Sequence, residues 1–322
     1  MSNGFSPGRP PSANSHTLVT GATGFIGHSL TRRLVDEGRR VVTVIRDEGP
    51  SLVELPAAVT RVRGDICDAA LCKRVLADYE VEYIHHLASH SIVSACADDP
   101  VSALHTNVMG TAHLFEAARS VGRLRAAVVS TSDKVYGVAE PPYDEETPLD
   151  AHHAYEVSKA CQDLTSRLYR YNYKLPVAVV RAVNVFGPGD PNATRLVPRT
   201  IQRLLRGEKP VVHDGAYSME RQFLYVDDMV DALLRVEGVV AAGAGKPAYC
   251  VPGHGPFSVG EVIEQIRQLM DRDVSCVVGQ RRLGFEEITR QWIESDVLAE
   301  LGWEMRTDFV TGLQQTIDWY SR

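Results

Sequence analysis

The chain has 322 residues, of which 44% are hydrophobic and 23% charged, as expected of one large or two modest globular domains. Its 34 basic and 41 acidic residues leave a net charge of −7, which argues against a nucleic-acid partner that needs a basic surface. No apolar run is long enough to span a membrane and the six cysteines include no C-x-x-C pair, so we expect a cytoplasmic protein without structural zinc.

The first segment with a structural pattern follows a polar N-terminus. Residues 1–15 contain three prolines and lack the apolar core of a signal peptide, so we expect them to form a disordered tail. Residues 17–19 are apolar and predict a strand. Ile26, Leu30 and Leu34 are four residues apart, which predicts a helix directly afterwards.

Between this strand and helix lies Thr20-Gly21-Ala22-Thr23-Gly24-Phe25-Ile26-Gly27, with glycines spaced G-x-x-G-x-x-G. Glycine permits a tight turn and the close approach of a phosphate, which can bind to backbone N–H groups at the helix N-terminus. In a βαβ unit this is where the pyrophosphate of a dinucleotide binds. The cofactor-binding residues predicted here are Gly21, Thr23, Gly24, Phe25, Ile26 and Gly27.

Strand-like and helix-like segments alternate up to about residue 182, which indicates an α/β fold with a Rossmann-type, doubly wound parallel sheet. His85 and His86 end one of the strands, so their side chains should face opposite sides of the sheet, one of them near the cofactor. The expected strands are 41–45, 59–63, 83–87, 126–131 and 177–182, and the expected helices are 68–79, 100–121 and 154–172.

The alternation weakens after about residue 185. We expect a loop at 187–191, a helix near 195–206, a short strand at 210–213, a strand at 223–226 that returns to the first domain, and a helix at 228–235. A ligand should bind between two domains, at the carboxyl ends of the strands. These are a Rossmann domain of residues 16–186 plus about 220–240, and a smaller α+β lobe of residues 187–219 and 241–322.

The second part of the cofactor site should lie where the next two strands end. Arg46 follows the second strand, where an acid would favour the free 2′-hydroxyl of NAD and an arginine favours the 2′-phosphate of NADP. We therefore predict NAD(P) as the cofactor, with NADP weakly favoured over NAD. The alternative is that Arg46 simply points into solvent. Asp65 and Ile66 follow the third strand, where an acid can accept a hydrogen bond from adenine, although Gly-Asp alone often forms only a turn.

Two residues suited to acid–base chemistry begin the helix at 154–172. Tyr155 and Lys159 are four residues apart and face one side, where an ammonium can lower the pKa of a phenol and make it a usable base. Such a pair also occurs by chance on helix surfaces. Ser132 favours a catalytic site, because it ends the preceding strand, in the segment 130–137, and could hydrogen-bond a substrate hydroxyl opposite Tyr155.

As a set, these motifs resemble those of the extended short-chain dehydrogenase/reductases of the NAD-dependent epimerase/dehydratase family, which act on nucleotide-linked sugars. The resemblance covers nearly the whole chain after residue 16 and implies that Leu87 and Ala88 also contact the cofactor. Its motifs lie at 20–27, Asp65, 86–88, 106–111, 130–137, 155–159, 181–189 and 221–228.

The resemblance implies a role for several single residues. Tyr155 would take the proton of the sugar 4-hydroxyl, Ser132 would hold the 4-oxygen, and Lys159 would hold the nicotinamide ribose. Arg221 would pair with the substrate diphosphate, and Asn184 would contact the same region unless it only forms a turn. The remaining expected substrate contacts are His90, Asn192 and Arg195.

The two residues after Ser132 bear on which reaction of the family is catalysed. Epimerases usually have small, non-acidic residues there, whereas Asp133 and Lys134 resemble the pair of CDP-glucose 4,6-dehydratases. By that resemblance Asp133 would protonate the leaving 6-hydroxyl and Lys134 would remove the C5 proton, unless the two only form a salt bridge. Residues 137–150 lack the aromatic-rich loop of those enzymes, which leaves the nucleotide base open.

We therefore predict a nucleotide-sugar 4,6-dehydratase that gives a 4-keto-6-deoxy sugar. The alternatives are a 4-epimerase on the same scaffold and a non-catalytic NAD(P)-binding sensor. The expected partner is a nucleotide-diphosphate sugar, with no nucleic acid, membrane or metal ion. Because family members usually pair through two long helices, the resemblance also implies a homodimer formed by the helices at 100–121 and 154–172.

Overall fold

The computed structural model describes residues 16–46, 54–279 and 287–322, so the expected tail at 1–15 lies outside the described residues. The described strands are β1 (His16–Thr20), β2 (Arg40–Ile45), β3 (Thr60–Arg63), β4 (Val81–His86), β5 (Ala126–Ser132), β6 (Val177–Ala182), β7 (Asn184–Phe186), β8 (Val211–His213), β9 (Glu220–Tyr225), β10 (Ala248–Val251), β11 (His254–Ser258), β12 (Val277–Gly279) and β13 (Arg290–Gln291).

The helices connect these strands and cover the sheets. The α-helices are α1 (Phe25–Asp36), α2 (Ala69–Asp78), α3 (Val93–Asp98), α4 (Pro100–Leu104), α5 (Thr111–Val121), α6 (Ala154–Tyr173), α7 (Leu196–Leu205), α8 (Val226–Ala241), α9 (Val259–Leu269), α10 (Val297–Glu300) and α11 (Phe309–Tyr320). A π-helical segment at His105–Gly110 lies between α4 and α5, and a 3₁₀ turn at Asp133–Tyr136 follows β5.

Seven parallel strands form the main sheet, in the order β3-β2-β1-β4-β5-β6-β10, which confirms the expected fold class. Successive residues of a strand point to opposite faces, so Leu18 and Val19 of β1 belong to two separate buried clusters. Side chains of α1 and α8 complete one cluster, and those of α2, α5 and α6 complete the other. The strand order reverses between β1 and β4, where doubly wound sheets bind their ligands.

The strand expected at 223–226 was assigned to the wrong sheet. It begins earlier, as Glu220–Tyr225, and pairs with β7, β11 and β13 in a separate four-stranded sheet. The last strand of the main sheet is instead Ala248–Val251, which the sequence analysis had placed in the lobe. Helix α8, which follows β9 and leads to β10, packs against strands of the main sheet. Four apolar residues carry too little periodicity to show which sheet they join.

The helix expected at 100–121 contains the π-helical segment at His105–Gly110. Apolar spacing does not reveal such a segment, because it changes the register of the backbone hydrogen bonds by one residue over a single turn. The segment brings Gly110 against Ile66, where a Cβ atom on Gly110 would lie 2.7 Å from Ile66 Cδ1. It also buries Asn107 completely. The irregular turn thus places one helix directly over the loop that follows β3.

A third buried cluster lies beneath the four-stranded sheet and joins it to α7, α9 and α11. Its aromatic members lie around Phe186 of β7, which is in edge-on contact with Phe223, Tyr225 and Phe309. Phe25 at the start of α1 belongs to the same cluster, so the turn after β1 packs against this region as well. The space between the carboxyl ends of the main sheet and the four-stranded sheet is called the cleft below. The elements on both sides of it are packed against buried clusters.

Candidate active site

The glycine turn after β1 has the geometry of a phosphate-binding site. Gly21 has φ +75°, and a Cβ atom there would lie 2.7 Å from Ala88 N. A Cβ atom on Gly27 would lie 2.1 Å from Gly21 O. Helix α1 begins at Phe25 with no side-chain hydrogen bond to cap it, so its first N–H groups can bind an anion. The turn predicted from Gly21, Thr23, Gly24, Phe25, Ile26 and Gly27 therefore fits a dinucleotide pyrophosphate.

The residues expected near the adenosine converge on Cys67. Asp65 Oδ1 accepts a hydrogen bond of 2.8 Å from the Cys67 N–H, which is the turn geometry considered as the alternative for Asp65. Burial and the Asp65 carboxylate raise the pKa of the Cys67 thiol to about 11, and the charge of Arg46 partly offsets this rise. Ile66 is buried between this turn and Gly110. The structure thus brings Arg46, Asp65 and Ile66 to one edge of the cleft.

Lys159 is held at the other end of the cofactor site by three acceptors. Its Nζ donates to Ser89 Oγ at 3.1 Å, to Ser130 O at 3.0 Å and to Gln162 Oε1 at 2.9 Å. Burial lowers the pKa of Lys159 to about 7. Ser130 and Gln162 lie on β5 and α6 beneath the cleft, whereas Ser89 belongs to the loop after β4. An incoming ribose hydroxyl can take the place of Ser89 as an acceptor while the other two contacts remain.

A buried chain of hydrogen bonds ties the phosphate turn to Lys159, and sequence reasoning did not predict it. Thr20 Oγ1 lies 2.7 Å from His86 Nδ1, and His86 Nε2 lies 2.8 Å from Thr111 Oγ1. Gln162 completes the chain, since its Nε2 donates to Thr111 Oγ1 and its Oε1 accepts from Lys159. Burial and the nearby Lys159 lower the pKa of His86 to about 3, so this imidazole is neutral. The pattern could only have been found by pairing distant segments.

The loop after β4 extends that strand towards the cofactor. Leu87 N–H donates to Thr20 O at 3.1 Å and Ala88 N–H donates to Thr20 Oγ1 at 3.2 Å. His85 points to the opposite face of the sheet from His86 and binds Glu237 at 2.8 Å, as its position in the strand predicts. Leu87 and Ala88 therefore lie beside Gly21, where the cofactor site was expected.

Tyr155 and Ser132 meet at the carboxyl end of β5. Tyr155 is 8% exposed. Burial raises the pKa of Tyr155 to about 12, and the nearby Ser132 hydroxyl and the charge of Arg195 counteract this rise. The sequence analysis assigned that counteracting effect to Lys159, whose ammonium is instead held by acceptors beneath the helix. Tyr155 and Ser132 therefore lie together, while the Lys159 amine is held one helical turn further along α6 by its own acceptors.

Asp133 is buried and Lys134 is half-buried next to Ser132, and the two side chains do not bind each other. Ser132 Oγ donates to Asp133 Oδ1 at 2.9 Å, while Lys134 Nζ donates to Gln291 Oε1 at 3.4 Å. Over the described ranges, no ion pair joins Asp133 to Lys134, so the salt bridge considered as the alternative is not formed. Burial raises the pKa of Asp133, and burial together with the charge of Arg221 lowers that of Lys134. Both shifts favour the uncharged forms, an acid and an amine base.

Arg221 lies beside this pair but is already engaged by the backbone. It is 7% exposed, and its guanidinium donates to Glu220 O at 2.8 Å, to Thr289 O at 3.1 Å and to Ile288 O. Glu287 lies 3.7 Å away. Arg221 therefore contributes positive charge at the cleft, and its expected pairing with a diphosphate would require some of these contacts to change.

The other expected substrate residues lie at the rim of the cleft. Asn184 begins β7 and its amide donates to Gln222 O of the paired strand β9 at 3.1 Å, so it serves strand pairing rather than the turn considered as the alternative. Arg195 pairs with the buried Asp190 at 2.8 Å and remains partly exposed. Asn192 accepts from the backbone and hydroxyl of Thr194, and so shapes its own turn.

His90 lies in the loop after β4, where the π-helical segment fixes it. Its N–H donates to Asn107 Oδ1 at 2.7 Å and its carbonyl accepts from Asn107 Nδ2 at 3.1 Å. Asn107 also donates to Ser158 Oγ at 2.9 Å, which ties this loop to α6. Among the described residues, no group of three or more His, Cys, Asp and Glu side chains could hold a metal ion. The helices in those ranges are too short or too polar to cross a membrane.

Comparisons with known proteins agree with this geometry. The model of the NAD dependent epimerase/dehydratase family matches residues 17–251. A dTDP-glucose 4,6-dehydratase of Mycobacterium tuberculosis is 32% identical over 94% of this chain and 92% of its own length. A UDP-glucose 4-epimerase of Mycolicibacterium smegmatis is 30% identical over 94% and 98%. The dTDP-glucose 4,6-dehydratase DesIV of Streptomyces venezuelae, solved with NAD and TYD bound, aligns with a TM-score of 0.84 at 27% identity, covering 95% of this chain and 96% of that chain.

Proposed function

The chain belongs to the NAD dependent epimerase/dehydratase family, and we propose on that basis that it is a nucleotide-sugar 4,6-dehydratase. It oxidises C4 of the sugar, removes water across C5 and C6, and gives a 4-keto-6-deoxy product. The observation that carries the proposal is the buried Asp133 and the half-buried Lys134 beside Ser132 and Tyr155. An epimerase has no use for an acid and a base at this place, because it only turns the keto sugar over.

The residues around Tyr155 serve the first step. Tyr155 takes the proton of the 4-hydroxyl while Ser132 donates a hydrogen bond to the 4-oxygen. Lys159 holds the nicotinamide ribose, with Ser130 and Gln162 keeping its ammonium in place from below. A nicotinamide held there would supply the hydride acceptor for C4 oxidation and the hydride donor for C6 reduction. The series of hydrogen bonds through His86 is neutral, so it adds no charge near the reacting groups.

Asp133 and Lys134 serve the elimination. Once C4 is a ketone the C5 proton is acidic, and Lys134 in its neutral form can remove it. Asp133, whose pKa is raised by burial, donates a proton to the 6-hydroxyl as that group leaves as water. Burial therefore shifts the pKa of each side chain in the direction that the elimination needs.

The cofactor and the nucleotide are proposed at different levels of detail. The glycine turn and the family support a nicotinamide dinucleotide, and DesIV was solved with NAD. A preference for NADP stays a prediction that rests on Arg46 alone. The substrate is a nucleoside-diphosphate sugar, with Arg195 and Arg221 supplying positive charge for the diphosphate. A cytoplasmic location also stays a prediction.

Product analysis tests the proposal. The protein is incubated with the glucose derivatives of dTDP, UDP, CDP and GDP, in turn, in deuterated solvent. A 4,6-dehydratase gives a 6-deoxy-4-keto sugar that absorbs in alkali and carries deuterium at C5. The specific competitor is a 4-epimerase, favoured by the M. smegmatis relative, and it would give the C4 epimer without the label. A sensor would give no product, which would be unexpected for a chain that retains both Tyr155 and Lys159.

We also propose that the chain forms a homodimer. Leu164, Leu168 and Tyr171 are between 45% and 53% exposed and lie on one face of α6. Val101 of α4 and Met109 of the π-helical segment are also exposed, at 75% and 44%. Two such helices from each of two copies would bury these side chains in a four-helix contact. Analytical ultracentrifugation should show a dimer that Leu168→Arg disrupts, and a purely monomeric wild type would contradict this.

A further inference from the structure

Gln291 reaches the active site from the opposite end of the chain. It lies on β13, where it pairs with Arg221 of β9, and it is 1% exposed. Its Oε1 accepts the hydrogen bond from Lys134 Nζ at 3.4 Å, between residues 157 positions apart. No motif singled out this residue, because glutamine has no acid–base chemistry of its own.

Two polar atoms beside Lys134 are buried without a hydrogen-bond partner in the ranges that the structure describes. One is Asp133 Oδ2, an acceptor when ionised and a donor when protonated, and the other is Gln291 Nε2, a donor. Buried polar atoms of this kind are rare and often mark a functional site. A hydroxyl group can accept from the amide and receive a proton from the acid at the same time. The pair is thus chemically suited to a sugar hydroxyl.

The neutrality of Gln291 also matters for Lys134. In the described part of the chain, no carboxylate forms an ion pair with Lys134 Nζ. Burial and the charge of Arg221 lower the pKa of Lys134, while the more distant carboxylates of Asp133, Glu287 and Glu156 partly counteract this. A carboxylate at position 291 would stabilise the ammonium form, whereas an amide oxygen orients the amine without a full opposite charge. The side chain therefore directs Lys134 without stabilising its charged form.

We propose that Gln291 is a positioning residue that aims Lys134 at C5 of the sugar, and that its amide N–H and Asp133 together receive the 6-hydroxyl. The inference rests on the dehydratase function proposed above. In the elimination, the lone pair of Lys134 Nζ takes the C5 proton, and the electrons of that C–H bond form the C5–C6 double bond. The C6–O bond breaks, and the proton of Asp133 converts the leaving hydroxyl to water.

The test compares Gln291→Glu and Gln291→Met with the matched surface substitution Gln315→Glu. Reduction of the cofactor reports oxidation at C4, and release of the 4-keto-6-deoxy sugar reports elimination. We expect Gln291→Glu to raise the pKa of Lys134, so that elimination at neutral pH falls about tenfold or more and recovers as pH rises. Gln291→Met should slow elimination at every pH without moving the profile. Both variants should slow elimination more than they slow C4 oxidation, whereas Gln315→Glu should leave both steps within about twofold of wild type.

Three results would overturn the inference while the dehydratase function stands. One is an unshifted pH profile for Gln291→Glu. Another is an equal loss of C4 oxidation and elimination in both variants, which indicates a structural role. The third is a comparable shift in Gln315→Glu, which indicates a general charge effect. A wild-type protein that makes no 4-keto-6-deoxy product from any nucleotide sugar would refute the proposed function itself. Thermal melting verifies folding, and Gln291→Glu preserves the shape of the side chain should Gln291→Met unfold.

Discussion

Neutral hydrogen bonds dominate the cofactor end of the cleft, which comprises residues 20–27, 86–89, 130, 159 and 162. The sugar end, which comprises residues 132–134, 155, 195, 221 and 291, instead buries several charged or ionisable side chains close together. Lys159 has three oxygen acceptors. Asp133 and Lys134 each have a single side-chain partner, and the pKa of each is shifted towards the uncharged form.

This difference matches the tasks of the two ends. A cofactor must be bound in one fixed orientation, which satisfied hydrogen bonds and a rigid backbone turn provide. A sugar that loses water needs groups that change protonation during the reaction, which requires side chains whose charged forms are poorly stabilised. The two ends should therefore respond differently to substitution.

Tyr155→Phe should have the largest effect, because Tyr155 lies where the two ends meet. Without the phenolic oxygen no group takes the 4-hydroxyl proton, so we expect C4 oxidation to fall by about 10³-fold or more. The absorbance of the reduced cofactor in a single turnover measures this step. Tyr173→Phe, at the exposed end of the same helix, is the control and should behave as wild type. Retention of most of the oxidation rate in Tyr155→Phe would contradict the assignment.

Gly27→Ala tests the cofactor end alone. The added Cβ would lie 2.1 Å from Gly21 O and must displace the phosphate turn. We expect cofactor affinity to fall by about tenfold or more, which corresponds to at least ~1.4 kcal/mol. Gly238→Ala is the matched control, since no atom lies within 4 Å of a Cβ there. Titration with the cofactor measures both, and equal affinities would show that the turn does not bind the pyrophosphate.

The charge of Lys159 predicts a dependence of stability on pH. Its pKa of about 7 lies below the ordinary value of 10.5, so between these values the unfolded chain binds more protons than the folded chain. The contribution of Lys159 to the free energy of unfolding should therefore rise with pH there, by up to about 1.4 kcal/mol per unit, and stay constant below pH 7. Urea unfolding of wild type and Lys159→Met at several pH values measures this. Parallel curves would contradict the lowered pKa.

Arg46→Ser should have the smallest effect of the set. Arg46 is exposed at the edge of the cofactor end, so its contact with a 2′-phosphate would be screened by solvent. If the chain prefers NADP, we expect the ratio of NADP to NAD affinity to fall about fivefold in the variant, or ~1 kcal/mol. Affinity for NAD itself should not change. An unaltered ratio would show that Arg46 does not recognise the 2′-position.

Much of the cofactor end could be predicted from the sequence. The G-x-x-G-x-x-G spacing between a predicted strand and a predicted helix indicates the phosphate turn, and Tyr155 and Lys159 share a face through helix geometry alone. Strand alternation likewise predicted the parallel sheet. The prediction that Lys159 lowers the pKa of Tyr155 was wrong. The Lys159 ammonium is held by Ser130 and Gln162, and helix spacing alone does not reveal those contacts.

The sugar end could be predicted only in part. Ser132, Asp133 and Lys134 are consecutive, and their motif is visible in the sequence. Gln291 is brought to Lys134 by strand pairing between β13 and β9, and no local pattern records such a contact. The same long-range pairing explains why the strand at 220–225 was assigned to the wrong sheet. Backbone carbonyls of residues 288 and 289 bind Arg221, which side-chain chemistry alone could not foresee.

A single-turnover experiment with Asp133→Asn separates the two ends of the cleft in one trace. Asparagine keeps the shape of Asp133 but has no acidic proton for the 6-hydroxyl, so elimination should slow by about 10²-fold while C4 oxidation continues. The cofactor should then become reduced and stay reduced, whereas in wild type it is reoxidised as the 6-deoxy product forms. Complete dehydration by Asp133→Asn at the wild-type rate would contradict the proposed role of the sugar end.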